Sequence, residues 1–141
     1  MKISVSLVAL SLAGSCAPSA SKIEVSDAWA RATAPGQSSA AVYATIDNRG
    51  GPDRLIGASS GAGMALLHRS DHEGGVARMR MLSEMATRSD GRVALAPGGT
   101  HVMLTGLSAP LAVGARFPLT LRFAKAGPRT VTVAVVAAGA R

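Results

Sequence analysis

From Ile23 onward, apolar and polar residues alternate in short runs with a period of two, and no long stretch repeats its apolar positions at helical spacing. Gly, Pro, Asn and Asp clusters separate the runs. The pattern predicts strands over Ile23–Ala32, Ala40–Asp47, Arg54–Ala58, Met64–Ser70, Val76–Leu82, Val93–Leu95, Thr100–Leu104, Arg116–Phe123 and Thr130–Val136, with Ser108–Gly114 as an irregular crossing. It is clearest near the C-terminus. Phe117, Leu119, Leu121 and Phe123 alternate with polar or small residues, as do Val131, Val133 and Val135, so each strand buries one face. Short strands at such regular spacing argue for an all-β Greek-key sandwich or barrel. Trp29 and Tyr43 are expected in its core, because large aromatics usually anchor a sandwich of this size.

The N-terminus breaks the pattern. Met1-Lys2 gives a minimal positive start, Ile3–Ala13 is an apolar run too short to span a bilayer, and small residues follow. Residues 1–20 therefore read as an export leader and residues 21–141 as one domain. Leu12-Ala13-Gly14-Ser15-Cys16 has the form of a lipoprotein processing box, which would leave Cys16 lipidated at a new N-terminus. Cleavage after Pro18-Ser19-Ala20 is the alternative. Both leave no internal disulfide and no dithiol chemistry, because Cys16 is the single cysteine.

Charge adds little. The net value of +7 comes mainly from scattered arginines such as Arg31, Arg54, Arg78, Arg80 and Arg122. There is no basic run, and the aromatics number only Trp29, Tyr43, Phe117 and Phe123, so a nucleic-acid surface is not expected.

The unusual chemistry lies between Met64 and Met103, which bracket all three histidines and five of the six methionines. Ten residues separate His68 from Met79, twenty-one separate Met79 from His101, and one separates His101 from Met103. A set of two imidazoles and two thioethers suits Cu(I), since thioether sulfur is a soft, uncharged donor. Zinc sites draw on thiolate, imidazole and carboxylate instead. A strand places His101 and Met103 on one face, about 7 Å apart. His68 and Met79 fall on a hairpin around His72-Glu73-Gly74-Gly75. A turn centred on Glu73-Gly74 sets position 68 directly opposite position 79.

The four residues with these spacings match the motif of the PCuAC-type periplasmic copper chaperones, which this chain resembles over nearly all of residues 21–141. Given His68, composition alone would meet the other three positions on the order of 4 times in 100,000. PGGTHVMLTGL, GGVARMRM, DAWARATAPGQ and AVYATIDNRG also look like that family. Two departures stand out: Ser70 and Thr105 occupy positions where many members carry Met.

The resemblance implies a cupredoxin-like sandwich that binds Cu(I) through His68, Met79, His101 and Met103. The leader implies export, to the periplasm or the outer face of the envelope, with membrane contact only through a lipid on Cys16, and a monomer is expected. The resemblance also implies delivery of copper to the copper-bearing subunit of cytochrome c oxidase, with a thiol-bearing chaperone as a relay, and no reaction of the protein's own. Three other readings stay open: a structural or adhesive envelope domain, a copper storage or resistance protein, and a copper enzyme, which would normally need more imidazoles. Met64, His72 and Met81 are open as auxiliary donors, with Met81 on the same face as Met79. Arg78 and Arg80 are expected on the opposite one.

Overall fold

The structure, a computed structural model, describes residues 20–141; the rest of the leader and Cys16 lie outside them. Ten strands and no helix occur among the described residues. They are β1 Ile23–Arg31, β2 Ser39–Asn48, β3 Asp53–Ser59, β4 Met64–Glu73, β5 Val76–Met81, β6 Met85–Thr87, β7 Gly91–Leu95, β8 Thr100–Thr105, β9 Arg116–Phe123 and β10 Gly127–Val136. Nine match strands read from the pattern. The tenth, β6, is three residues long, too short to show alternation, and pairs with β3.

Hydrogen bonds join the strands along the path β5-β4-β8-β2-β1-β10-β9-β3-β6. The first part of β2 pairs with β8 and the second part with β7. Only β1 and β10 run parallel. This is the all-β architecture that the alternation predicts, and it agrees with the cupredoxin-like arrangement that the resemblance implies.

One face of every strand except β5 meets the core. Val42, Ile46, Leu55, Val102, Leu104, Leu119, Leu121 and Val133 are completely buried there. Removing such side chains from water stabilises by about 1.5–3 kcal/mol each. Leu104→Ala would give back about 2–5 kcal/mol once the cavity is included. In the predicted irregular crossing, Leu111 is pinned to Thr33 by two bonds, Thr33 N–H to the Leu111 carbonyl (3.0 Å) and Leu111 N–H to the Thr33 hydroxyl (2.9 Å).

Trp29 and Tyr43 are buried, as the sequence reading expects, but on the face opposite that cluster. Their partners explain why. Val25 pairs with Ile46 and Ser26 with Thr45, but Trp29 pairs with Tyr43, so β1 carries one residue more than β2 between these points. Asp27 marks this bulge with φ of 48°. An extra residue reverses which side chains face inward. Before it Ile23 and Val25 reach the core, and after it Ala28 and Ala30 do. Trp29 is thereby turned to the opposite face, beside Tyr43, with 4.6 Å between ring centroids. The Arg31 guanidinium lies 5.5 Å from the Trp29 ring and 5.9 Å from that of Tyr43, and Arg141 lies 5.4 Å from Trp29. Both aromatics are buried, with these cations beside their rings.

A buried polar corner ties β2 and β3 to the start of the domain and to the β9–β10 turn. Asn48 Oδ1 accepts the N–H groups of Gly50 (3.0 Å) and Lys22 (3.4 Å), and its Nδ2 donates to the Gly51 carbonyl (2.8 Å). Asp53 accepts the Ser21 hydroxyl (2.7 Å) and the N–H groups of Arg54, Lys125 and Ala126 (2.8 Å each). Burial pushes the Asp53 carboxyl up, but the hydroxyl and the three N–H donors outweigh it and hold the group below its ordinary value.

Candidate metal centre

The hairpin of β4 and β5 turns on Gly74-Gly75, with φ of 58° and 79°. Two successive left-handed residues make the tight two-residue turn that suits a twisted hairpin, and glycine takes that backbone without strain. Glu73 therefore pairs with Val76, and the ladder runs back to His68 opposite Met81 and Ser70 opposite Met79. The expected pairing of 68 with 79 is off by two residues. The displacement is even, so the face survives: His68, Met79 and Met81 still lie on one side. Arg78 and Arg80 lie on the other, as expected. Arg80 bonds there to Asp71 (3.3 Å), which also holds Arg69 (3.1 Å). A shallow cleft of about 450 Å³ lined by these groups has its cations already paired.

On its other side β4 pairs with β8, His68 directly opposite His101 and Leu66 opposite Met103. A single row thus crosses three strands, Met81–His68–His101, with Met103 one step beyond it and Met79 one step before it. Tyr43 of β2 continues the row, its ring 6.2 Å from that of His101, and Trp29 follows. The two imidazoles have centroids 6.1 Å apart and planes at 63°.

Hydrogen bonding marks these rings out. His101 Nδ1 lies 3.1 Å from the Gly99 carbonyl, which can only accept, so Nδ1 is the donor there and in the neutral ring Nε2 keeps the lone pair. His101 is 3% exposed, yet its Nε2 has no partner, and neither does His68 Nδ1. Among the described residues one further buried side-chain N or O atom is unpartnered, Thr87 Oγ1. Such atoms are costly to bury unless something occupies them. A backbone carbonyl fixing the far nitrogen of an imidazole is the arrangement that orients a metal-binding histidine.

The surroundings limit what can sit there. Among the described residues no three His, Cys, Asp or Glu side chains come together, and the soft donors that share the face with the imidazoles are methionine sulfurs. Met103 is half-buried, while Met79 and Met81 are 55% and 69% exposed. Met64 shares the face, but it pairs with Thr105 and lies four residues from His68, about 13 Å along the strand. His72, opposite Ala77, is as far away in the other direction. Met85 lies on β6, at the other end of the sheet, against the core. The pattern missed the place of Met81 and the aromatic backing of His101. Gly74-Gly75 held the signal for the first, as a two-residue loop there fixes the register.

Fold and histidine row together define a PCuAC-type cupredoxin-like domain. The PCuAC domain of PmoF2, solved with copper bound, is similar at a TM-score of 0.69 and 33% identity, over 83% of this chain and 94% of that one. The apo PCuAC domain of PmoF1 gives 0.70 and 31%, over 83% and 95%. The Cu(I) form of DR1885 from Deinococcus radiodurans gives 0.64 and 30%, over 88% and 83%. The chain belongs to the LpqE-like family, described as "Putative lipoprotein LpqE-like", whose model matches residues 23–135. A relative from Leifsonia xyli subsp. xyli (strain CTCB07), "Putative lipoprotein Lxx21020", is 35% identical over 116 residues, which are 80% of this chain and 69% of that protein.

Proposed function

We propose that this protein is an exported carrier of Cu(I), bound by His68, His101, Met79 and Met103. The observation that carries the reading is the pair of buried, unpartnered imidazole nitrogens on directly opposed residues, with thioethers on the same face. Neutral imidazole and thioether together favour cuprous copper and leave its charge uncompensated, which suits a site that must release its cargo. The copper-bound relatives support the same reading. The lipoprotein character of the family supports export with a leader over residues 1–20 and a lipid on Cys16. The recipient we favour is the copper-bearing subunit of cytochrome c oxidase, reached directly or through a thiol-bearing chaperone, with the carrier acting as a monomer and catalysing no reaction.

Anaerobic titration of the purified protein with Cu(I) tests this. One equivalent should bind, and His68→Ala and His101→Ala should each abolish stoichiometric binding while His72→Ala does not. Equal binding by all four proteins would leave an envelope domain without a metal function.

A further inference from the structure

We propose that Met81 is a ligand for the same copper ion and alternates with Met79. The inference rests on the Cu(I) reading above and names a donor outside its four-residue set.

The register carries it. Leu82 N–H donates to the Leu67 carbonyl at 2.8 Å, so 67 and 82 form a hydrogen-bonded pair and the adjacent pair, His68 and Met81, is of the narrow kind. Residues in such a pair have Cα atoms about 4.5 Å apart, against about 7–8 Å for a diagonal neighbour. Met81 is the narrow-pair partner of His68, and Met79 is the diagonal one, opposite Ser70. Both side chains lie on the histidine face.

Their setting allows exchange. β5 ends the hydrogen-bonded path, and all six of its residues are exposed. Met79 and Met81 at 55% and 69% exposure are not packed in place, and an unbranched thioether reorients through three side-chain torsions without moving backbone. His101 and Met103, from a central strand and more buried, form the fixed side of the site. Copper would keep two imidazoles and Met103 while one of two exposed sulfurs closes the shell. The other sulfur stays free to take over, so a ligand can be exchanged without the ion becoming naked. The metal remains Cu(I) and no proton or electron moves, because both sulfurs are neutral.

A double-mutant cycle tests it. Met79→Leu and Met81→Leu keep size and sit at exposed positions, so neither endangers the fold, and Met64→Leu serves as a control on the same face. Alternation predicts that each single variant weakens Cu(I) binding by less than about tenfold and the double variant by more than about a hundredfold, a coupling well beyond the product. X-ray absorption should show the same number of copper–sulfur bonds in wild type and both single variants, and one fewer in the double. A Met81→Leu protein that binds like wild type, with Met79→Leu as weak as the double, overturns the proposal and leaves the four-ligand site intact. Independent, multiplicative effects overturn it as well. Failure of the wild-type protein to bind Cu(I) sinks the functional reading itself.

Discussion

Two buried polar clusters in this domain are built on opposite principles. In the corner around Asn48 and Asp53, the carboxylate and the amide meet seven hydrogen-bond partners supplied by the chain itself. In the row of His68 and His101, one nitrogen of one ring is satisfied by Gly99, while a buried nitrogen of each ring, His68 Nδ1 and His101 Nε2, is not. The first cluster closes a fold. The second leaves two buried acceptor-capable nitrogens without a partner from the chain.

The contrast predicts a double dissociation between stability and copper binding. The largest effect belongs to the row: replacing His101 by Leu should cost copper more than the about 10–100-fold that follows loss of an outer-shell partner. The same change should shift the apo fold by no more than about 1 kcal/mol, because it removes an unsatisfied buried group and Gly99 keeps the Ser70 N–H as a donor. Denaturant unfolding beside Cu(I) titration reads both. Next comes Asp53→Asn, which turns an acceptor-only group into one that presents donors to donors. It should cost about 2–3 kcal/mol and leave the copper affinity of the folded protein unchanged.

The Asp53 carboxyl also sets a pH dependence. Its value is lowered in the folded state, so it contributes stability that is present above the unfolded value of about 3.8 and lost as pH falls through the lower folded value. Wild type should therefore lose stability in acid below about pH 4, and Asp53→Asn should show a shallower loss over that window. A smaller effect is expected at the hairpin turn. Gly75→Ala forces a left-handed backbone on a residue with a Cβ and should cost about 1 kcal/mol. Because β5 carries Met79 and Met81, it should also weaken copper severalfold, which binding measured well below the unfolding midpoint would detect.

Much of the fold was legible because alternation is a local signal. Leu119, Leu121, Val133 and Val135 needed no tertiary information to be placed inside. The burial of Trp29 was legible but its face was not, because one inserted residue near Asp27 reverses the strand's faces, and nothing in the apolar pattern marks a bulge. The pairing of His68 was missed by two residues for a related reason. Register depends on which two residues form the turn, and only Gly74 and Gly75 both take positive φ. Face and register are separable, so the set His68, Met79, His101 and Met103 could be placed on one side of the sheet while Met81, the nearer neighbour, went unassigned.

The most direct test follows the imidazole nitrogens by NMR in ¹⁵N-histidine-labelled protein during anaerobic addition of Cu(I). The account predicts that His68 Nδ1 and His101 Nε2 move together and saturate at one equivalent, while His101 Nδ1 keeps its proton and His72 stays unshifted. Movement of His72 in their place, or of only one of the two rings, would contradict it.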